Sequence, residues 1–273
     1  MTPLTKDSVE AAIKAITGRL TEYELSPGHL TNFRDNPIDR RYMQYLNGLG
    51  GFYCKFLALL VRHLAIRNIV ELGNREGLST LSIYDALPKD GSLTSIDIVR
   101  NLRYCPDEMF TSGRVNFIFG DVCDLSIFDN QYPFNTELLF TDTIHYDYQL
   151  RNEFSIYQHF LADSALIAID DINLNDKRKL FDELPFPKWD LTELCHVSGW
   201  GLVLFERTQD SDEQERLLKA FQASAKMWCQ SCQALQRRAE KTVVRSIRNQ
   251  TRTFLHRHPA LYNGSLALRG LWY

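Results

Sequence analysis

The sequence lacks any apolar run long enough to cross a bilayer. Its most hydrophobic stretch, Phe52 to Ile66, is short and is broken by Lys55, Arg62 and His63. The N-terminal residues include Lys6, Asp7 and Glu10 and show no apolar segment of the secretory kind, so no export signal is expected. Cysteine is sparse, with six in 273 residues, and the one close pair, Cys229 and Cys232, has no second pair to complete a zinc site. This excludes a disulfide scaffold and predicts a reducing, cytoplasmic setting. A strong excess of either charge is missing too, since the formal net charge is -3. The balance is uneven along the chain, because beyond Arg216 the only acid before the C-terminus is Glu240. An acidic body with a basic tail follows. No aromatic-basic motif accompanies that tail, so a packed helix with a solvated basic face is expected there and nucleic acid is not the expected partner.

A further absence bears on function. The stretch Asn68 to Thr80 reads NIVELGNREGLST, an apolar strand running into a glycine turn and then a helical run. A dinucleotide fingerprint would need a second glycine two residues after Gly73, where the backbone must approach a pyrophosphate. Arg75 stands there instead, and the next glycine is Gly77. The turn therefore suits a nucleoside ligand without phosphate, provided carboxylates meet its hydroxyl and amine donors.

Strand and helix signals alternate after this turn. Extended runs are predicted at Ser92 to Ile98, Val115 to Phe119, Glu137 to Thr141 and Ala165 to Ile169, which implies crossover connections and a mostly parallel sheet. Leu191 to Val197 and Gly201 to Phe205, joined by Ser198, Gly199 and Trp200, predict a terminal antiparallel hairpin. Upstream, Val9, Ile13, Ile16 and Leu20 give a leading amphipathic helix within residues 6 to 25, and a second helical stretch runs from about Asp39 to Leu64. Downstream, apolar residues from Leu217 to Ile247 recur at helical spacing and predict a buried seam, within the chain or in a homo-oligomer.

Acids fall at nearly every strand end. Glu71, Asp97, Asp121 (after Gly120), Asp142 and the pair Asp170-Asp171 follow successive strands. Ligands of open α/β sheets bind outside those carboxyl ends. Single aspartates there are often helix caps, but six in register would repel one another without a cation or a donor ligand.

The segment E-L-G-x-x-x-G-x-S, the order of elements and the closing hairpin resemble class I S-adenosylmethionine-dependent methyltransferases. T-D-T-I-H-Y and A-I-D-D-I-N are similar to metal-dependent O-methyltransferases of the macrolide-sugar type. The resemblance implies an α/β, doubly wound, mostly parallel seven-stranded sheet of Rossmann-like methyltransferase type. A helical cap is expected over 1–52, the S-adenosylmethionine-binding domain over 53–208 and a basic helical extension over 209–273. It further implies that Asp97 takes the ribose hydroxyls and Asp121 the adenine amine, while Gly73, Gly77 and Gly120 admit the ligand closely. Ser79 would donate to the methionine carboxylate and Glu71 would line that pocket. Asp142, Asp170 and Asp171 would hold magnesium, and His145 would act as base beside Asp142. The implied activity is methyl transfer to a hydroxyl of a sugar or polyhydroxylated small molecule. Two alternatives remain open: a non-catalytic binding protein on the same fold, and a hydroxylase-labelled relative, for which one histidine and three acids are a poor oxygenase set.

Overall fold

The computed structural model describes residues 3–48 and 52–207. The basic tail, its apolar seam and the oligomer contact expected of it lie outside these residues. Among the described residues no helix is long and apolar enough to cross a membrane.

Helix α1 spans Lys6–Thr17 and opens with a reciprocal cap, in which the Thr5 hydroxyl accepts from the Ser8 amide and the Ser8 hydroxyl accepts from the Thr5 amide. It is shorter than the leading helix expected over 6 to 25. The second helical stretch is divided into α2, Pro37–Leu46, and α3, Tyr53–Leu64. Asn36 starts α2 by accepting from the amides of Ile38 and Asp39, with Pro37 supplying a preset first turn.

The sheet comprises β1 (Asn68–Leu72), β2 (Ser92–Asp97), β3 (Val115–Phe119), β4 (Thr136–Thr141), β5 (Leu161–Asp170), β6 (Lys188–Asp190) and β7 (Trp200–Glu206). Their spatial order is β3-β2-β1-β4-β5-β7-β6. β1 to β5 are parallel, and β7 runs antiparallel between β5 and β6. The crossover helices are α4 (Leu78–Ala86), α5 (Asp107–Thr111), α6 (Asp147–Tyr157) and α7 (Arg178–Glu183). Alternate strand residues enter opposite layers: Leu138, Phe140, Leu166 and Ala168 pack with α1, α3 and α4, whereas Leu139, Ile167 and Ile169 pack with α6 and α7. The order reverses between β1 and β4, which opens a crevice at their carboxyl ends.

The closing hairpin is displaced from its expected position. Its first strand is Lys188–Asp190, and Thr192–Cys195 forms a single helical turn, α8, in place of the expected strand from Leu191. Asp190 Oδ1 accepts from both the amide and the hydroxyl of Thr192, an interaction that ends the strand and turns the chain.

One buried acid ties the N-terminal segment to the body. Asp85 on α4 accepts from the Ser26 amide at 2.9 Å and from Arg62 Nη2 at 3.1 Å, stands 2.8 Å from His29 Nδ1, and also pairs with the Tyr23 hydroxyl. Burial alone would raise its pKa, but the hydrogen bonds from Ser26, Tyr23 and His29 hold it below the ordinary value. A depressed folded-state pKa contributes stability that is present above the unfolded value, about 3.9, and lost as the pH falls through the folded value. Asp85→Ala is expected to destabilise the protein by about 3 kcal/mol at pH 7, measured by urea unfolding. The gap to wild type should narrow toward pH 3, and a gap independent of pH would disprove the role of the charge.

Candidate active site

The glycine turn is forced by a neighbour. Gly73 has φ +85°, and a Cβ there would lie 2.2 Å from the Asp142 carbonyl oxygen, so the end of β4 passes directly against it. The Asp142 amide donates to the Leu72 carbonyl at 2.8 Å, and the Gly73 amide donates to that of Ile96 at 2.8 Å. Gly77, at φ +89°, packs against Cys105, whose Sγ would be 2.4 Å from an added Cβ. The Arg75 side chain is 82% exposed and pairs with Glu76.

Asp97 ends β2 beneath this turn. Its Oδ2 accepts from the Asn74 and Arg75 amides at 2.9 and 2.8 Å, and Oδ1 accepts from the Val99 amide at 2.8 Å. The carboxylate thus shapes the turn while remaining partly exposed. At the end of β3 the Gly120 amide donates to the Asp97 carbonyl at 2.9 Å. A Cβ on Gly120 would strike Ile127 at 2.5 Å. Asp121 is exposed, with Oδ1 accepting from the Cys123 amide at 2.9 Å. Gly73, Gly77, Asp97, Gly120 and Asp121 therefore gather at the carboxyl ends of β1, β2 and β3.

Glu71 and Ser79 depart from their expected places. Glu71 is fully buried and accepts three hydroxyls, from Ser79, Thr80 and Ser95, each at 2.6 Å. It is closed off from solvent, and the Ser79 hydroxyl donates inward to it. Burial raises the Glu71 pKa against the opposing pull of these hydroxyls. Glu71 fastens α4 and β2 to the carboxyl end of β1. Glu153 on α6 does the same for the next loop, accepting from Thr141 Oγ1 at 2.6 Å, Gln149 Nε2 at 2.8 Å and the Thr143 hydroxyl. Thr143 lies between Asp142 and His145, so this buried acid sets the loop that carries them.

The remaining expected residues converge beside the glycine turn. Asp142 follows β4, Asp170 ends β5 and Asp171, at φ +56°, begins the next loop. Ligand atoms of Asp142, His145 and Asp171 lie within 4.8 Å of one another, and so do those of Asp170, Asp171 and His196. Asp171 belongs to both sets. His145 Nδ1 is 3.2 Å from Asp171 Oδ2, yet this buried nitrogen makes no hydrogen bond. Desolvation, followed by the charge of Asp170, pushes the Asp142 carboxyl well above the ordinary range.

Two members of the cluster carry no signal in the sequence. His196 lies in the loop before β7, with Nε2 2.6 Å from Asp170 Oδ1. Lys177 is fully buried, donates from Nζ to the Asp170 carbonyl at 2.7 Å and lowers the Asp142 pKa by its charge. Neither is near Asp142 along the chain; only the pairing of β5 with β7 and the return of the loop before α7 bring them in.

The donor set fits a divalent cation. Each group offers two carboxylates and one imidazole, the buried Lys177 ammonium stands beside Asp170, the buried Nδ1 of His145 has no hydrogen-bond partner, and the Asp142 charge is disfavoured by its surroundings. A divalent cation bound there would meet carboxylate oxygens from adjacent strand ends with an imidazole beside them, and would satisfy the electrostatic deficit.

The strand order, with its antiparallel seventh strand, defines a Rossmann-like fold of the methyltransferase type. Residues 70–172 match a family model described as a methyltransferase domain. The chain is 27% identical over 124 residues to a Dictyostelium discoideum protein described as "Probable caffeoyl-CoA O-methyltransferase 3", an alignment covering 43% of this chain and 49% of that one. The chain thus spans about half the length of this curated relative. Among solved structures, the SAH-bound methyltransferase of Podospora anserina superposes with a TM-score of 0.50 at 12% identity, over 76% of this chain and 99% of that one. The family-model match and this relative bear out the resemblance to methyltransferases, and the superposition bears out the fold.

Proposed function

We propose that this chain transfers the methyl group of S-adenosylmethionine to a hydroxyl of a sugar or another polyhydroxylated small molecule, assisted by a magnesium ion. The observation that carries this reading is the contact between Gly73 and Asp142. It joins the turn suited to a phosphate-free nucleoside directly to the acid cluster, so an acceptor held at the acids lies beside the methyl donor.

Asp97 and Asp121 would hold the ribose and adenine donors, and Gly73, Gly77 and Gly120 would allow the backbone to approach. With Glu71 and Ser79 turned inward, the methionine end would be received chiefly by the turn itself. Asp142, Asp170 and Asp171 would hold the cation. When bound, a divalent ion lowers the pKa of a hydroxyl in contact with it. His145 would then take the hydroxyl proton as the new oxygen-carbon bond forms and the sulfonium carbon-sulfur bond breaks. The chain's larger contribution would be alignment of the acceptor oxygen behind the methyl group.

The cofactor assignment is tested by calorimetry on the full chain. S-adenosylmethionine should bind, NAD should not, and Asp97→Ala should weaken binding by about 1.5 to 3 kcal/mol, the worth of a hydrogen bond to a charged group. Tight NAD binding with none of S-adenosylmethionine would overturn the reading.

A further inference from the structure

His196 has no part in the reaction proposed above, yet it is built into the cluster. Its side chain is only 8% exposed and that of Asp170 7%, and the two meet at 2.6 Å between Nε2 and Oδ1. With the Asp170 carboxyl ionised, a contact this short requires the hydrogen on Nε2, which then donates to Asp170. The other nitrogen, Nδ1, is 2.8 Å from Ser198 Oγ, which can donate to it, and 3.9 Å from Asp171 Oδ1. The imidazole is also wedged by the Tyr53 ring, with centroids 5.4 Å apart in an edge arrangement.

The loop that carries His196 is fixed to the segment following the acids. The Asn173 amide donates to the Ser198 carbonyl at 2.9 Å, and the Ile172 amide to that of Gly199 at 3.3 Å. Gly199, at φ +98°, has no room for a Cβ, which would fall 2.7 Å from both Asn173 Nδ2 and Ile172 Cγ1. The imidazole therefore cannot drift from Asp170 without disturbing the chain immediately after Asp171. Asp170 is held from a second side by the Lys177 ammonium on its own carbonyl oxygen.

We propose that His196, backed by Ser198, is a positioning residue that fixes Asp170 in its cation-holding orientation. The inference rests on the cation assignment above. A carboxylate with one oxygen tied to an imidazole N–H keeps its other oxygen for a cation and loses the freedom to rotate away. Three acids crowded at two strand ends would otherwise relieve their repulsion by turning apart or by taking up a proton.

The test is a titration of the full chain with cobalt(II) chloride, read by calorimetry and by the visible absorption of the bound ion, with S-adenosylmethionine affinity measured in parallel. His196→Leu is expected to weaken cobalt binding about 10- to 100-fold, the usual cost of losing a hydrogen bond behind a ligand, with S-adenosylmethionine affinity unchanged. His196→Gln, whose amide retains an N–H donor, should recover most of the loss and keep the wild-type absorption bands. Unchanged cobalt affinity in His196→Leu would overturn the inference while leaving the cation assignment standing. Shifted bands in His196→Gln would overturn it in favour of His196 as a direct ligand. Absence of cobalt and magnesium binding in the wild type would remove the cation assignment itself, and this inference with it. Should His196→Leu fail to fold, Ser198→Ala leaves the imidazole in place without its rear partner. A measurable loss of cobalt affinity is expected there, and none would count against the proposal.

Discussion

Excess EDTA is expected to abolish methyl transfer by the full chain, and magnesium added back is expected to restore it. The cause is electrostatic. Asp142, Asp170 and Asp171 stand at the carboxyl ends of the neighbouring strands β4 and β5, and the Asp142 carboxyl is already pushed well above its ordinary range by desolvation and by Asp170. Lys177 offsets only part of this charge. Without a cation the cluster would relax by protonation or by rotation of a side chain, and the acceptor would lose its anchor. Asp171 is the most direct point of attack, because it is shared by both ligand groups. Asp171→Ala should therefore weaken cation affinity and turnover together, while S-adenosylmethionine affinity holds. Full activity in excess chelator would sink the cation assignment and leave positioning as the whole of the chemistry.

Much of this site is legible in the amino-acid sequence. The strands show because apolar residues of a two-sided parallel sheet form short unbroken runs, and the glycine turn shows because Arg75 replaces the glycine a pyrophosphate would need. Acids at strand ends follow from the same segmentation, and His145 from the resemblance of T-D-T-I-H-Y to metal-dependent O-methyltransferases. Glu71 is harder to place, because adjacency to the turn suggests exposure to the ligand. Strand alternation instead puts Glu71 with Ile69 on the face covered by α4, opposite Val70 and Leu72. There the carboxylate meets the Ser79, Thr80 and Ser95 hydroxyls. Parallel strands buried on both faces hide this distinction, since their apolar residues do not alternate with polar ones.

His196 escapes a reading of the sequence for a different reason. Leu191 to Val197 looks like a strand, and in a strand this histidine would be one more half-buried side chain. The Asp190-Thr192 turn instead ends β6 early, and the loop to β7 folds back over the segment after Asp171. Register and turn chemistry are local facts, but their consequence here is a contact across 26 positions. Lys177 gives no signal because a lysine in a polar loop ordinarily faces water. The Asp170 carbonyl and the surrounding acids make its burial tolerable.

The largest effect of a single side chain is expected at His145. His145→Ala should lower kcat by about 10² to 10⁴, the usual contribution of a positioned base, with cation and S-adenosylmethionine affinity retained. The ring is partly exposed and its Nδ1 stands 3.2 Å from Asp171 Oδ2. Asp171 would thus orient the imidazole beside the acceptor without engaging it in a hydrogen bond, since Nδ1 has no such partner. The same geometry allows Nδ1 to serve as a cation ligand with Asp142 and Asp171, and the variant separates the two roles. A base lost from the site leaves cation affinity intact, and free imidazole in the buffer should restore part of the rate. A ligand lost from the site weakens cation binding, and excess metal rather than imidazole should restore the rate. An unchanged rate in His145→Ala would exclude both roles and leave the Asp142 carboxylate as the remaining proton acceptor at this end of the sheet.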